Sequence, residues 1–179
     1  MAEGLESGLR AAGPIAATLD DASLTAFAES VELAVAAAYD AAATQLDDPV
    51  DARTGAVYAA HHRSHAEAFA RLAGSSGGGT ANARLATVLA GQLAALTAPT
   101  DVVRFLVGLE NRLAATHQYL SGALTNAETA ALVATVLPVE AAHAAVLGLL
   151  LGGGPRDVVP GGGFQSPVLR FDPSQFPVS

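Results

Sequence analysis

The two halves of this chain carry the same pattern of polar residues 78 positions apart, and this repeat limits the fold more than any other feature. Each half has a Glu, an aromatic ring seven residues later, and then two His or Glu residues three positions apart. Spacings of three and seven put side chains on one face of a helix. Each half therefore predicts two helices whose polar residues share one level. The matched positions are Glu32 and Glu110, Tyr39 and His117, His62 and Glu140, His65 and His143, and Gly74 and Gly152.

Proline, glycine and capping signals divide the chain into four long helical segments. The predicted helices cover 23–46, 51–73, 100–124 and a last segment that runs from the capping box at 125–128 to 151. Asp21 or Ser23 is the expected cap of the first helix. Hydrophobic residues make up 51% of the chain and aromatic residues only 5%, so Ala, Leu and Val dominate. The chain is predicted to be all-α, a four-helix bundle.

The long connection between helices 2 and 3 and the C-terminal tail have their own patterns. Residues 80–98 show helical apolar spacing, and a short helix there would let the connection run the length of the bundle. The extended tail, 155–179, is rich in Gly and Pro but contains Phe164, Phe171 and Phe176. Aromatic residues are uncommon in disordered tails, so we expect packing against the bundle or a second subunit. A loose tail is the alternative.

Charge and hydropathy exclude some classes of partner. The net charge is −8, and the nine basic residues form no cluster suited to phosphates, so no nucleic acid partner is expected. Charged residues or His interrupt every apolar stretch before about 18 residues accumulate, which argues against a membrane span and for a soluble protein. Residues 1–21 lack the basic start and apolar core of a signal peptide. A chain that begins after a removed signal would look the same, so the compartment stays open.

Six side chains are the candidate metal ligands, because two helical hairpins related by a pseudo-twofold axis would bring them to one level. Glu140 and His143 lie in the apolar segment LPVEAAHAAVLG, where an unpartnered carboxylate would be costly. The alternatives are a structural ion pair at Glu140 and His143, and surface acids at the two earlier Glu positions. The predicted ligands are Glu32, His62, His65, Glu110, Glu140 and His143.

Three further residues share a helix with these ligands and are considered with them. His61 precedes His62 in the segment HHRSH, which could also form a solvated polar face. Since adjacent positions on a helix diverge by about 100°, His61 is expected to point away from the site. Tyr39 and His117 either fill the layer next to the site or donate hydrogen bonds that orient the Glu carboxylates.

The segments VELAVAAAY, HHRSHAEAF, LENRLAATHQYL and LPVEAAHAAVLG resemble the ferritin-like superfamily. The resemblance covers about residues 20–178 and is greatest to bacterial ferritin-like domain proteins related to the desiccation-associated group. It implies a ferritin-like bundle at 20–154 between an N-terminal extension, 1–19, and the tail. In that superfamily, one Glu from each of two helices and a Glu-x-x-His pair from each of the others surround two metal ions.

The resemblance matches five of the six candidate ligands. His62 is the exception, because the family pattern has a Glu there that normally bridges the metals. A neutral imidazole in that place removes a negative charge. We therefore expect unequal sites, with one ion held well by Glu110, Glu140 and His143 and a weaker one in the half that contains His62.

The donor set limits the cofactor and the function. Carboxylates and imidazoles suit iron, manganese or zinc, and iron is the expected metal. With iron or manganese, the resemblance implies activation of dioxygen or peroxide, as in ferroxidase, peroxidase, catalase or oxidase chemistry. The competing functions are a non-catalytic metal binder and a metal-free helical structural or interaction protein. The expected partners are metal ions, a small oxidant and, through a bundle face or the tail, a second copy in a homodimer.

Overall fold

Five α-helices form the described part of the computed structural model, which comprises residues 19–158 and 166–178. Within these ranges there is no strand, and 3-10 turns occur at Gly74–Ser76 and Pro167–Leu169. The all-α prediction is confirmed. Residues 1–18 of the predicted N-terminal extension and Phe164 lie outside the described ranges. The helices are α1 (Asp21–Ala43), α2 (Pro49–Ala73), α3 (Ala83–Ala94), α4 (Pro99–Ala123) and α5 (Ala127–Leu150).

The four long helices form two hairpins that face each other. α1 packs along α2, and α4 packs along α5, while α2 also contacts α5 and α1 contacts α4. Helix α3 lies in the connection between the hairpins and packs on α1 through Leu85, Leu89 and Leu93. These leucines recur every four residues, so they occupy one face of a short helix. The bundle core is therefore continuous from the connection to the four long helices.

The start of α1 differs from the prediction. Asp20 is the N-cap, and its carboxylate accepts a hydrogen bond from the backbone N–H of Ser23 at 2.8 Å. Asp21 is already helical, and its carboxylate accepts hydrogen bonds from the backbone N–H groups of Thr125 and Asn126 at the start of α5. The predicted caps, Asp21 and Ser23, are thus wrong because Asp21 bonds to a distant helix instead.

The start of α5 is shifted by one residue from the predicted capping box. Asn126 is the N-cap, and its side-chain oxygen accepts hydrogen bonds from the N–H groups of Glu128 and Thr129 at 2.9 and 3.1 Å. The predicted cap, Thr125, instead donates its backbone N–H and its hydroxyl to Asp21. A tertiary contact therefore replaces the local one that the sequence pattern favoured.

Residues 166–178 of the tail lie against the bundle. Phe171 and Phe176 are 1% and 3% exposed, and their rings meet edge to face at 5.9 Å. The backbone N–H of Phe171 donates to the hydroxyl of Thr116 on α4 at 2.9 Å. Asn82, the N-cap of α3, donates its side-chain amide to the carbonyl of Phe176 at 2.9 Å. These contacts connect the tail to both α4 and the start of α3.

Helix α5 is the one described helix that is long and apolar enough to cross a membrane, with a hydropathy of 1.8. Its buried side nevertheless carries Glu140 and His143, and Pro138 lies within it. Only a third of the apolar 18-residue stretch within this helix is buried. A single helix of this kind, which forms one wall of a helical bundle, is not a clear membrane span.

Candidate metal centre

All six predicted ligands meet between the four long helices. Helix α1 supplies Glu32, α2 supplies His62 and His65, α4 supplies Glu110, and α5 supplies Glu140 and His143. Four of them are fully buried, His143 is 3% exposed, and the side chain of His65 is 15% exposed. They form two overlapping groups whose donor atoms lie within 4.8 Å of one another. The groups are Glu32, His62, His65 and Glu140, and His62, Glu110, Glu140 and His143.

His62 occupies the middle of the cluster. Its Nδ1 lies 2.8 Å from Glu32 Oε2, and its Nε2 lies 3.1 Å from Glu110 Oε1. The sequence interpretation grouped His62 with Glu32 and His65, and the structure has this group but adds a contact of His62 with Glu110. The ring projects from α2 between carboxylates on α1 and α4, and its two nitrogens are on opposite sides, so it contacts both halves.

Glu140 also faces both halves. Its Oε1 lies 2.8 Å from His65 Nδ1, and its Oε2 lies 3.1 Å from His143 Nδ1. Each group contains one further carboxylate near its second His. Glu32 Oε2 lies 3.7 Å from His65 Nδ1, and Glu110 Oε2 lies 3.5 Å from His143 Nδ1. His62 and Glu140 are therefore the two residues common to both groups.

Tyr39 and His117 connect the two halves of the repeat. The hydroxyl of Tyr39 on α1 donates to Glu110 Oε1 on α4. At the equivalent place in the other half, His117 Nε2 on α4 lies 2.7 Å from Glu32 Oε1 on α1. Each ring thus contacts the Glu of the opposite half, as a pseudo-twofold axis requires. Both rings are buried, and Tyr39 also stacks on His62.

The charges in the cluster shift the pKa values of its members. Burial alone would raise the pKa of Glu32, but hydrogen bonds with His117 and His62 lower it well below its ordinary value. Burial likewise opposes ionisation of Glu110, yet the charge of His62 and the contact with His143 lower its pKa to about 2. Burial would lower the pKa of His65, but contacts with Glu140 and Glu32 raise it to about 9. Glu32 and Glu110 are therefore ionised at neutral pH.

Some of the buried polar atoms have no hydrogen-bond partner. Glu110 Oε2, Glu140 Oε1 and His65 Nδ1 are in this position. The last two lie 2.8 Å apart, but they are not aligned for a hydrogen bond. Buried carboxylate oxygens without a partner are costly, and a bound cation would satisfy them. The arrangement therefore fits metal ions.

His61 and Tyr58 were not predicted to belong to the site. His61 is exposed, and its Nδ1 lies 3.0 Å from His143 Nε2, so it does not point away from the cluster. It diverges from His62 on α2, as expected, but α5 brings His143 to that side of the helix. Tyr58 stacks on His143 with ring centroids 3.8 Å apart. Its position four residues before His62 on α2 was the available sequence signal.

An open pocket of about 300 Å³ lies outside Tyr58. Tyr58 is 8% exposed and separates this pocket from His143. The pocket is lined by Arg53, Thr54, Val57, Tyr58 and Val146.

Comparison with known protein families gives one match. The model of the ferritin-like domain family matches residues 20–153, which include all six candidate ligands. Neither the curated proteins nor the solved structures gave a significant match.

Proposed function

We propose that this chain, which belongs to the ferritin-like domain family, binds divalent metal ions at the cluster and uses them to activate dioxygen or peroxide. Iron is the metal that we expect, with manganese or zinc as alternatives. The observation that carries the proposal is the pair of overlapping Glu/His groups at the bundle centre. In this proposal, the six ligands are Glu32, His62, His65, Glu110, Glu140 and His143.

The donor set favours two divalent ions over one. The side chains of Glu32, Glu110 and Glu140 are fully buried between the four helices, and each group of donor atoms contains at least two of these carboxylates. Oxygen and imidazole donors without a thiolate suit iron, manganese and zinc. When bound, iron or manganese supplies the electrons that reduce dioxygen or peroxide.

The surrounding residues orient the ligands and shield them from solvent. Tyr39 and His117 hydrogen-bond to one oxygen each of Glu110 and Glu32, which leaves the second oxygens directed toward His143, His62 and His65. Partners of this kind fix the orientation of metal ligands and raise metal affinity. The Tyr58 ring stacks on His143, and the two residues are only 8% and 3% exposed.

A metal-free structural role has one specific observation in its favour. Glu32 contacts both His62 and His117, and Glu110 contacts His62 and Tyr39, so hydrogen bonds already compensate part of the buried charge. In that case, the cluster would be a buried ionic network that specifies helix pairing. Metal binding and its loss on mutation distinguish the two functions.

The first prediction is that Glu140→Ala and His143→Ala each remove most metal binding. Each substitution deletes a ligand, and Glu140 contributes to both groups. We expect at least a tenfold loss of Fe(II) affinity, measured anaerobically by titration. Glu67→Ala is the matched control, because Glu67 is an exposed acid on α2.

Turnover then separates catalysis from simple binding. The iron-loaded chain should consume hydrogen peroxide, or oxidise Fe(II) in the presence of dioxygen, and Glu140→Ala should not. Metal binding without either reaction would identify a non-catalytic metal binder. Unchanged affinity in both ligand variants would contradict the metal site itself.

A further inference from the structure

His62 presents a different ring nitrogen to each half of the cluster. Nδ1 faces Glu32 Oε2 at 2.8 Å, and Nε2 faces Glu110 Oε1 at 3.1 Å. The ring is fully buried, and Tyr39 stacks on it with ring centroids 5.3 Å apart. A terminal metal ligand binds through one nitrogen and donates its other ring N–H to an acceptor. The two carboxylates beside His62 belong to different ligand groups, so each nitrogen faces one of the two candidate metal positions.

The distances in the cluster, 2.8 to 3.7 Å, lie on both sides of those between neighbouring ligands on one ion. Two donors that each lie about 2.1 Å from a metal are about 3.0 to 3.4 Å apart at right-angled or tetrahedral geometry. On one side, His65 Nδ1 lies 2.8 Å from Glu140 Oε1 and 3.7 Å from Glu32 Oε2. On the other side, His143 Nδ1 lies 3.1 Å from Glu140 Oε2 and 3.5 Å from Glu110 Oε2.

We propose that His62 is a bridging ligand that gives Nδ1 to one metal ion and Nε2 to a second. Glu32 and His65 complete the first position, and Glu110 and His143 complete the second. Glu140 lies between the two positions, with its Oε2 3.1 Å from His143 Nδ1 and 3.8 Å from His62 Nδ1. The proposal rests on the metal site proposed above and specifies how its two halves are joined.

The bridge also restores the charge that the His62 position lacks relative to a Glu. A neutral imidazole carries one ring proton and has one free nitrogen lone pair. In the metal-free cluster His62 is charged and carries a proton on each nitrogen. When both nitrogens bind metal, both protons leave to solvent, two nitrogen–metal bonds form, and the ring becomes an anion. The charge between the two ions is then the same as with a carboxylate. This proposal has two filled positions, in contrast to the one strong and one weak position expected from sequence.

The separation of the ions distinguishes this bridge from a carboxylate bridge. An imidazole ring with a metal about 2.0 Å from each nitrogen holds the two ions about 6 Å apart. Sites bridged through oxygen hold them about 3.5–4 Å apart. Zinc is a suitable probe because it has no redox chemistry and accepts both donor types.

The experiment is anomalous scattering at the zinc edge from crystals of the full chain loaded with Zn(II). We expect two zinc ions about 6 Å apart with the His62 ring between them. Two ions about 4 Å apart, or one ion on a single nitrogen of His62, would overturn the bridge and leave the metal site standing. No bound zinc, iron or manganese would overturn both proposals.

Two variants test the same point in solution. In His62→Asn, one side-chain amide cannot reach both positions, so zinc stoichiometry should fall from two ions to one. In His62→Glu, a bridging carboxylate is available, so two ions should bind at the shorter separation. Circular dichroism checks that each variant folds, and if either does not, the separation in the unmodified chain decides alone. Two ions in His62→Asn would contradict the bridge.

Discussion

At the scale of single residues, the cluster consists of side chains whose two polar atoms contact different partners. His143 places Nδ1 next to Glu140 and Nε2 next to His61. If Nδ1 binds a metal, the ring proton must be on Nε2, and that N–H needs an acceptor. His61 Nδ1, 3.0 Å away, is the atom in position to accept it. His61 therefore positions His143 without contacting the metal.

The prediction for His61 compares two substitutions. In His61→Phe, the ring remains but the acceptor is lost, so we expect metal affinity to fall by about tenfold. In His61→Asn, the side-chain oxygen replaces Nδ1 as acceptor, and affinity should stay close to that of the unmodified chain. Titration with Co(II) measures affinity and reports ligand geometry through its visible absorption. Equal losses in the two variants would contradict the positioning role.

The ligands could be predicted from sequence, whereas the contact of His61 and the central position of His62 could not. Spacings of three and seven residues put Glu32 and Tyr39, or Glu140 and His143, on one face of a helix whatever surrounds them. The contact of His61 with His143 depends instead on how α2 and α5 pack together. The position of His62 between two carboxylates likewise follows from the packing of α1, α2 and α4.

At the scale of helices, a contact between distant segments connects the start of α1 to the start of α5. Asp21 lies at the start of α1, and it accepts backbone hydrogen bonds from Thr125 at 3.0 Å and from Asn126. The bond from Thr125 lowers the pKa of Asp21 below its ordinary value, although partial burial opposes the shift. A lowered pKa means that the charged form stabilises the folded chain.

We predict that Asp21→Ala lowers the melting temperature at pH 7. Since the folded-state pKa of Asp21 is below its unfolded value, the stabilisation is present above the unfolded pKa and disappears as pH falls through the folded one. The difference between variant and unmodified chain should therefore shrink below about pH 4. Thermal unfolding across this pH range measures it. Asp47→Ala, which removes an exposed loop charge, is the control and should change little.

Helix number and approximate ends were predictable, but the caps were not. Pro49, Pro99 and the glycine-rich segments mark ends through local backbone preferences. Asp20, Asp21 and Asn126 are all capable of capping, and the one that caps each helix depends on tertiary contacts. The contact of Asp21 with α5 links positions 104 residues apart, and no local pattern contains it.

At the scale of the whole molecule, the tail adds a small apolar layer to one side of the bundle. Phe171 and Phe176 are buried, and the backbone around them bonds to Thr116 and Asn82. Arg112 on α4 also donates to the carbonyl of Leu169. The tail therefore contributes to the stability of the bundle that holds the metal ligands.

We predict that Phe171→Ala destabilises the folded chain by about 3–5 kcal/mol. The loss combines buried apolar area with the cavity left behind, and it corresponds to a fall in melting temperature on the order of 10 °C. Val168→Ala is the control in the same segment, because Val168 is 52% exposed and should cost less than about 0.5 kcal/mol. If Phe171→Ala is as stable as Val168→Ala and the unmodified chain, the packing of Phe171 contributes nothing to stability.

The homodimer expected from sequence remains a prediction at this scale. Light scattering on the full chain measures it directly. A mass of twice 17.9 kDa agrees with a dimer, and a mass of 17.9 kDa excludes one under the conditions used.

The metal content of the unmodified chain tests the central claim most directly. The protein is purified without added metal, and a second portion is loaded anaerobically with Fe(II), Mn(II) or Zn(II) and then desalted. Element analysis should find two ions per chain after loading with at least one of these metals, and Glu140→Ala treated in parallel should lose most of them. A folded chain that retains no metal above background under any of these conditions would contradict the account.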